Sequence, residues 1–161
     1  MIRASIFAAF VAVFLVSCGG APSGATSTAS QANETSPRVA GVISTDILAR
    51  EPNANVAQVK HILIGWNALQ PHDPRADKRT KDEAEAQIRT LLDQLRGGAD
   101  FDALMKQWSE DPGSAASGKA YRVSPDAQLV IEFRQLGLRL TTGEVGVVES
   151  DFGFHIIKRI E

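Results

Sequence analysis

The chain is poor in the residues that many catalytic sites need. Cysteine occurs once, at position 18, so no intrachain disulfide can form. Three histidines and that one cysteine are too small an inventory for a metal site, so no cofactor or metal is expected. No serine stands in a Gly-x-Ser-x-Gly setting, which removes a hydrolase nucleophile elbow. A positive excess is missing as well. Lysine and arginine total 17 against 19 aspartates and glutamates, and this slightly acidic balance offers no nucleic-acid footprint. The apolar run over residues 6–16 is too short to cross a bilayer as a permanent helix, which takes about 20 residues. What remains is 43% hydrophobic and 22% charged, the make-up of one globular domain plus additional chain.

The additional chain is N-terminal. Arg3 followed by the apolar run has the charge-then-apolar order of a secretion signal. Leu15-Val16-Ser17-Cys18 then resembles a bacterial lipobox. That resemblance implies a signal peptide over 1–17, cleavage before Cys18, and acylation of the Cys18 sulfur and the new amino terminus. The chain is then lipid-anchored in the cell envelope, on the extracytoplasmic face of a membrane. A plain secretion signal with an incidental cysteine is the alternative. Residues 18–55 are dominated by Ser, Thr, Ala, Gly, Pro and Asn, with too little apolar surface to offset chain entropy, and read as a flexible tether. Apolar residues between 39 and 48 allow one short ordered piece within it.

The domain is assigned to 56–161. Residues 56–64 read as a buried strand. Thr80 and Glu83 form a capping box ahead of a helix with an apolar face at Ala84, Ile88, Leu91, Leu92 and Leu95. Gly97-Gly98 ends it. Asp100 caps a second helix bearing Phe101, Leu104, Met105 and Trp108. Ser124-Pro125 is expected to open a third, with Leu129, Val130, Phe133 and Leu136 on one face. Residues 145–149 and 154–160 read as strands of a hairpin joined at Asp151-Phe152-Gly153. A strand, then helices, then a terminal hairpin predicts an α+β fold with helices around a small, largely antiparallel sheet.

Three segments are the most specific. They are Lys60-His61-Ile62-Leu63-Ile64, Ser109-Glu110-Asp111-Pro112-Gly113-Ser114-Ala115, and Gly153-Phe154-His155-Ile156-Ile157. In this order and at this spacing they resemble the parvulin-type peptidyl-prolyl cis–trans isomerases, over about residues 56–161. The resemblance implies a four-stranded sheet, with a further short strand before the last helix. It implies that His61 and His155 are the family's paired central histidines, which hydrogen-bond and organise the site. Asp111 falls where the family has cysteine or aspartate beside the substrate carbonyl. Leu129 and Phe133 fall where apolar residues surround the proline, and Phe152 at a position often aromatic. Each residue also has a plainer reading. The histidines suit hydrogen-bonded core positions, Asp111 suits a turn before Pro112-Gly113, and Leu129 and Phe133 suit a helix core face.

The family usually continues into Gly-Gly-Asp-Leu-Gly, whereas here Ser117-Gly118-Lys119-Ala120-Tyr121-Arg122 keeps only Gly118. The path from the acidic loop to the last helix is therefore expected to differ. Some members select phosphorylated residues with a basic cluster after the first strand. Here Arg75, Lys78, Arg79 and Lys81 are interleaved with Asp73, Asp77 and Asp82, which cancels most of that field. The expected function is isomerisation of X–Pro bonds in unfolded or envelope proteins. The alternative is a non-catalytic parvulin-like module that holds extended peptide in the same cleft.

Overall fold

A computed structural model describes residues 41–69 and 73–161. Cys18, the expected signal peptide, the first part of the expected tether and His72 lie outside the described residues. In chain order the elements are α1 (Thr45–Leu48), β1 (Ala57–Ile64), a 3-10 turn (Pro74–Ala76), α2 (Lys81–Arg96), α3 (Phe101–Trp108), α4 (Pro112–Ser117), β2 (Tyr121–Val123), α5 (Ile131–Arg139), β3 (Val145–Ser150) and β4 (Gly153–Arg159). The four strands form one antiparallel sheet in the order β2-β1-β4-β3. This is the expected α+β architecture, with the short strand β2 ahead of the last helix.

The central strands β1 and β4 have helices against both faces, which is why their sequences read as apolar runs rather than a clean alternation. Period-2 geometry still sorts them. Ile62, Ile64, Phe154 and Ile156 join a core with Ala84, Ile88 and Leu91 of α2 and Phe101, Leu104 and Met105 of α3. Val59 and Ile157 join a second core with Val123, Val148 and the α5 residues Phe133, Leu136 and Leu138. His61 and His155 share the odd-numbered positions of Val59 and Ile157, so they belong to the α5 face. Leu63 is registered opposite His155 and His61 opposite Ile157, which makes the two histidines diagonal neighbours across the central pair.

Capping follows the sequence closely in α2 and α3. The Thr80 hydroxyl accepts from the Glu83 amide at 3.3 Å, and the Glu83 carboxylate accepts from the Thr80 amide at 2.8 Å. Asp100 accepts from the Ala103 amide at 2.8 Å. The acidic segment, expected only as a turn-rich loop, contains the short helix α4. Asp111 is its N-cap, accepting from the Ser114 amide at 2.7 Å, with Pro112 in the first helical turn. The helix stops at Gly118, whose φ of 64° lies in the left-handed region.

Two expectations are corrected. The last helix starts at Ile131, not at Ser124-Pro125. Ser124 forms a turn closed by the Ala127 amide on the Ser124 carbonyl, and its hydroxyl donates to Asp126 at 2.7 Å instead of capping. Leu129 therefore precedes the helix and does not share a helix face with Phe133. The folded unit also begins earlier than residue 56. Ser44 bonds to Val147 in both directions, amide to carbonyl and amide to hydroxyl, each at 2.9 Å. These bonds cover the outer edge of β3. The Asn53 amide donates to the Leu138 carbonyl at 2.8 Å, and Ile47 is 5% exposed in the α5-side core. A tether cannot be free where its backbone is paired and its side chain buried, so residues 41–55 belong to the domain.

Ile47→Ala in the full chain is expected to lower stability by about 2–4 kcal/mol, the cost of truncating a buried aliphatic side chain. Urea unfolding measures this. A loss below about 0.5 kcal/mol, typical of a surface change, would return the boundary to residue 56.

Candidate active site

The sheet places both imidazoles under α5, where water is largely excluded. His61 is 5% exposed and His155 4%. Their Nδ1 atoms lie 3.2 Å apart. His155 Nε2 is 2.7 Å from the Ser150 hydroxyl, at the end of β3. His61 Nε2 is 3.2 Å from Asp111 Oδ2, at the start of α4. Buried ring nitrogens need partners, and with both rings neutral only one assignment of protons satisfies all of these contacts. An ionised Asp111 accepts only, so His61 Nε2–H donates to it. His61 Nδ1 then accepts from His155 Nδ1–H. His155 Nε2 accepts from the Ser150 hydroxyl, whose oxygen in turn accepts from the Phe152 amide at 3.1 Å. One directed chain thus joins the β3–β4 turn to Asp111.

Asp111 Oδ2 also accepts from the Ser114 amide at 2.7 Å and the Tyr121 hydroxyl at 2.8 Å. The His61 N–H, more than any other contact, holds the Asp111 carboxyl well below the usual carboxylate range. Burial opposes it, and the Ser114 and Tyr121 donors add to it. Burial first, then the hydrogen bond to Asp111 and its charge, pushes the Tyr121 hydroxyl up to about 12. Burial first, then the neighbouring His61, pushes His155 down to about 3, while Asp111 pulls the other way.

Above this floor lies a cavity of about 250 Å³ lined by His61, Leu63, Asp111, Tyr121, Gln128, Leu129, Val130, Phe133, Phe152 and His155. Phe133 and Tyr121 meet His61 edge-on, with ring centres 5.0 and 5.2 Å away. Phe133 meets His155 at 5.5 Å. Phe152 is 40% exposed. A second cavity of about 410 Å³ shares Leu63, Asp111 and Phe152 with the first and continues to Asp73, Pro74, Glu110 and Pro112. Asp111 therefore borders both spaces.

All six residues singled out by sequence around the cleft (His61, Asp111, His155, Leu129, Phe133 and Phe152) meet at this cavity. Cys18 lies outside the described residues. Sequence reasoning missed Tyr121 and Ser150. Tyr121 carried a signal, because it sits in the stretch that departs from the family pattern. Ser150 carried none beyond its place at a hairpin end.

Residues 45–161 match the PPIC-type PPIASE domain. The chain belongs to this parvulin family. It is 36% identical over 102 residues to the foldase protein PrsA 4 of Bacillus cereus, covering 63% of this chain and 30% of that one. It is 33% identical over 102 residues to the chaperone SurA of Alkalilimnicola ehrlichii, covering 63% and 22%. The chain thus spans less than a third of the length of these two relatives. Among solved structures, the peptidyl-prolyl isomerase ESS1 from Candida albicans superposes with a TM-score of 0.59 at 25% identity, covering 66% of this chain and 63% of that one. The parvulin fold is shared.

The buried parvulin pair makes stability depend on pH. His155 is neutral when folded but takes a proton near its ordinary value of 6.5 when unfolded. The unfolded chain therefore binds more protons between pH 6.5 and about 3, and stability falls as pH falls through that window. Asp111 deepens the loss below its ordinary 3.8, because its folded value is lower. The slope from one such group reaches about 1.4 kcal/mol per pH unit. Urea unfolding at about pH 7 and about pH 5 is expected to differ by about 1–2 kcal/mol. His155→Asn should flatten this difference, and an equally steep profile in that variant would assign the effect elsewhere.

Proposed function

We propose that this domain catalyses cis–trans isomerisation of X–Pro bonds in extracytoplasmic protein segments, whether unfolded or belonging to the envelope. One observation carries the reading. An ionised Asp111, its Oδ2 occupied by three donors, stands at the edge of an apolar cavity floored by two buried imidazoles and Phe133. X–Pro rotation is slow because twisting breaks amide resonance, a barrier of about 18–20 kcal/mol. Resonance places negative charge on the carbonyl oxygen of the planar amide, and twisting removes much of it. A carboxylate oxygen beside that carbonyl disfavours the planar form more than the twisted one. An apolar slot that excludes water acts the same way, because water solvates the planar carbonyl better. No nucleophile or cofactor is needed.

The proline ring fits the cavity of Leu129 and Phe133. The residue before it then faces the adjoining cavity past Asp111. Three of the four cations of that region are paired: Arg75 with Asp73, Arg79 with Glu110 and Lys81 with Glu149. This pairing supports recognition without a phosphate on the preceding residue.

Magnetisation-exchange NMR on a Leu-Pro peptide, with and without protein, tests the reading. Enhanced exchange is expected from the unmodified domain. Asp111→Ala is expected to lower turnover by about tenfold or more with little change in binding, since its action is confined to the amide. Phe133→Leu should weaken binding and turnover together. Phe133 is 3% exposed, so unfolding must be measured alongside. Peptide binding without enhanced exchange would leave a holding module in place of an enzyme.

We further infer that Cys18 carries the lipid anchor and starts the mature chain. The support is the order Arg3, apolar run, Leu15-Val16-Ser17-Cys18. Acylation of both sulfur and amino terminus gives stable membrane attachment, which a single chain does not. Mass spectrometry of the mature amino terminus is expected to show acylated Cys18. An unmodified Cys18, or a start elsewhere, would remove the anchor.

A further inference from the structure

We propose that Tyr121 is a positioning residue for Asp111, and that Gly113 leaves open the space the Tyr121 hydroxyl needs to reach it. Tyr121 stands where the sequence leaves the family's glycine-rich stretch. β2 sets it opposite Val59 on β1, so its backbone is fixed by the sheet. Its ring packs edge-on against His61 and Phe133, at 5.2 and 6.1 Å. Its hydroxyl reaches Asp111 Oδ2 at 2.8 Å. The three donors on that oxygen come from three separate elements: His61 from β1, Ser114 from α4 and Tyr121 from β2. A carboxylate held by one donor can rotate about its terminal bond. Three donors converging on Oδ2 fix the plane of the group and leave Oδ1 as the oxygen available to the cleft.

Gly113 is the second half of the device. A Cβ there would lie 2.7 Å from the Tyr121 hydroxyl oxygen, closer than real Cβ contacts come, and 3.4 Å from Asp111 Oδ2. Glycine weakens a helix relative to alanine, so its place inside α4 needs a reason outside the helix. In this chain the Tyr121–Asp111 bond depends on that glycine.

The surroundings of Asp111 contain little else that could orient it. His61 faces it from β1, with His155 of β4 bonded behind that ring, Tyr121 from β2 and the Ser114 amide from its own helix. The neighbouring Glu110 is taken by Arg79 at 2.7 Å and the Gly65 amide at 2.7 Å. No ion pair joins Asp111 to a lysine or arginine among the described residues. Tyr121, pushed up to about 12, remains a donor across the working pH range.

The test uses Tyr121→Phe, Gly113→Ala and the double variant in the full chain, each checked for a native melting transition. The first readout is the Asp111 carboxyl chemical shift, followed by NMR as pH is lowered. Tyr121→Phe is expected to raise the Asp111 midpoint by about one unit, the loss of one charge-assisted hydrogen bond. Gly113→Ala reaches the same bond from the other side and should give a similar shift. The double variant should be no worse than Tyr121→Phe alone. The second readout rests on the isomerase reading: kcat should fall by about threefold to tenfold with KM nearly unchanged. An Asp111 midpoint unmoved in Tyr121→Phe overturns the proposal. So does a Gly113→Ala shift that adds in full to that of Tyr121→Phe. If the unmodified protein fails to accelerate exchange, the isomerase reading falls, and the carboxyl titration still decides the role of Tyr121.

Discussion

Burying two imidazoles side by side in the middle of a sheet constrains most of this molecule. Each ring has two nitrogens, and none can be left without a partner in a dry setting without a cost of a few kcal/mol. The 3.2 Å contact between the two Nδ1 atoms satisfies one nitrogen on each ring. The other two must be met from outside the pair. That requirement puts a hydroxyl at the end of β3 and a carboxylate at the start of α4. It also fixes both tautomers, because the carboxylate accepts and does not donate. The site's electrostatics therefore follow from satisfying the core.

Much of the fold was legible because its signals are local. The Thr80–Glu83 capping box and Asp100 each announce a helix within four residues. The apolar runs around His61 and His155 announce central strands. The misreadings share a cause in competition or distance. Ser124-Pro125 looks like a helix start, but Asp126 captures the hydroxyl that would have capped it. Asp111-Pro112 is equally a helix start, and its sequence was read as a turn because both use the same residues. The docking of residues 41–55 depends on Val147 and Leu138, roughly 90 residues away, and no local pattern records that.

At the site, the histidines and Asp111 were readable from motif spacing, while their contacts were not. Tyr121 shows the limit most clearly. By sequence it is a departure from a glycine pattern, which suggests damage to the site. In space it brings a third donor to Asp111, and the glycine that accommodates it lies eight residues upstream in a different element. β2 is an edge strand of three residues, and its pairing with β1 holds the Tyr121 backbone in place.

The pairing of β1 with β4 has a consequence for how the protein comes into being. His61 and His155 are 94 positions apart, and the strands bearing them are the first and last of the sheet in chain order. On a growing chain, β1 and all the described helices emerge while the second imidazole does not yet exist. At a synthesis rate of about 5–20 residues per second, that interval lasts for several seconds. During it His61 has no ring to accept from, β1 lacks its longest neighbour, and the cleft has no floor. Until β4 emerges, β1 lacks its partner along six registered positions, and the site forms in one late, non-local step.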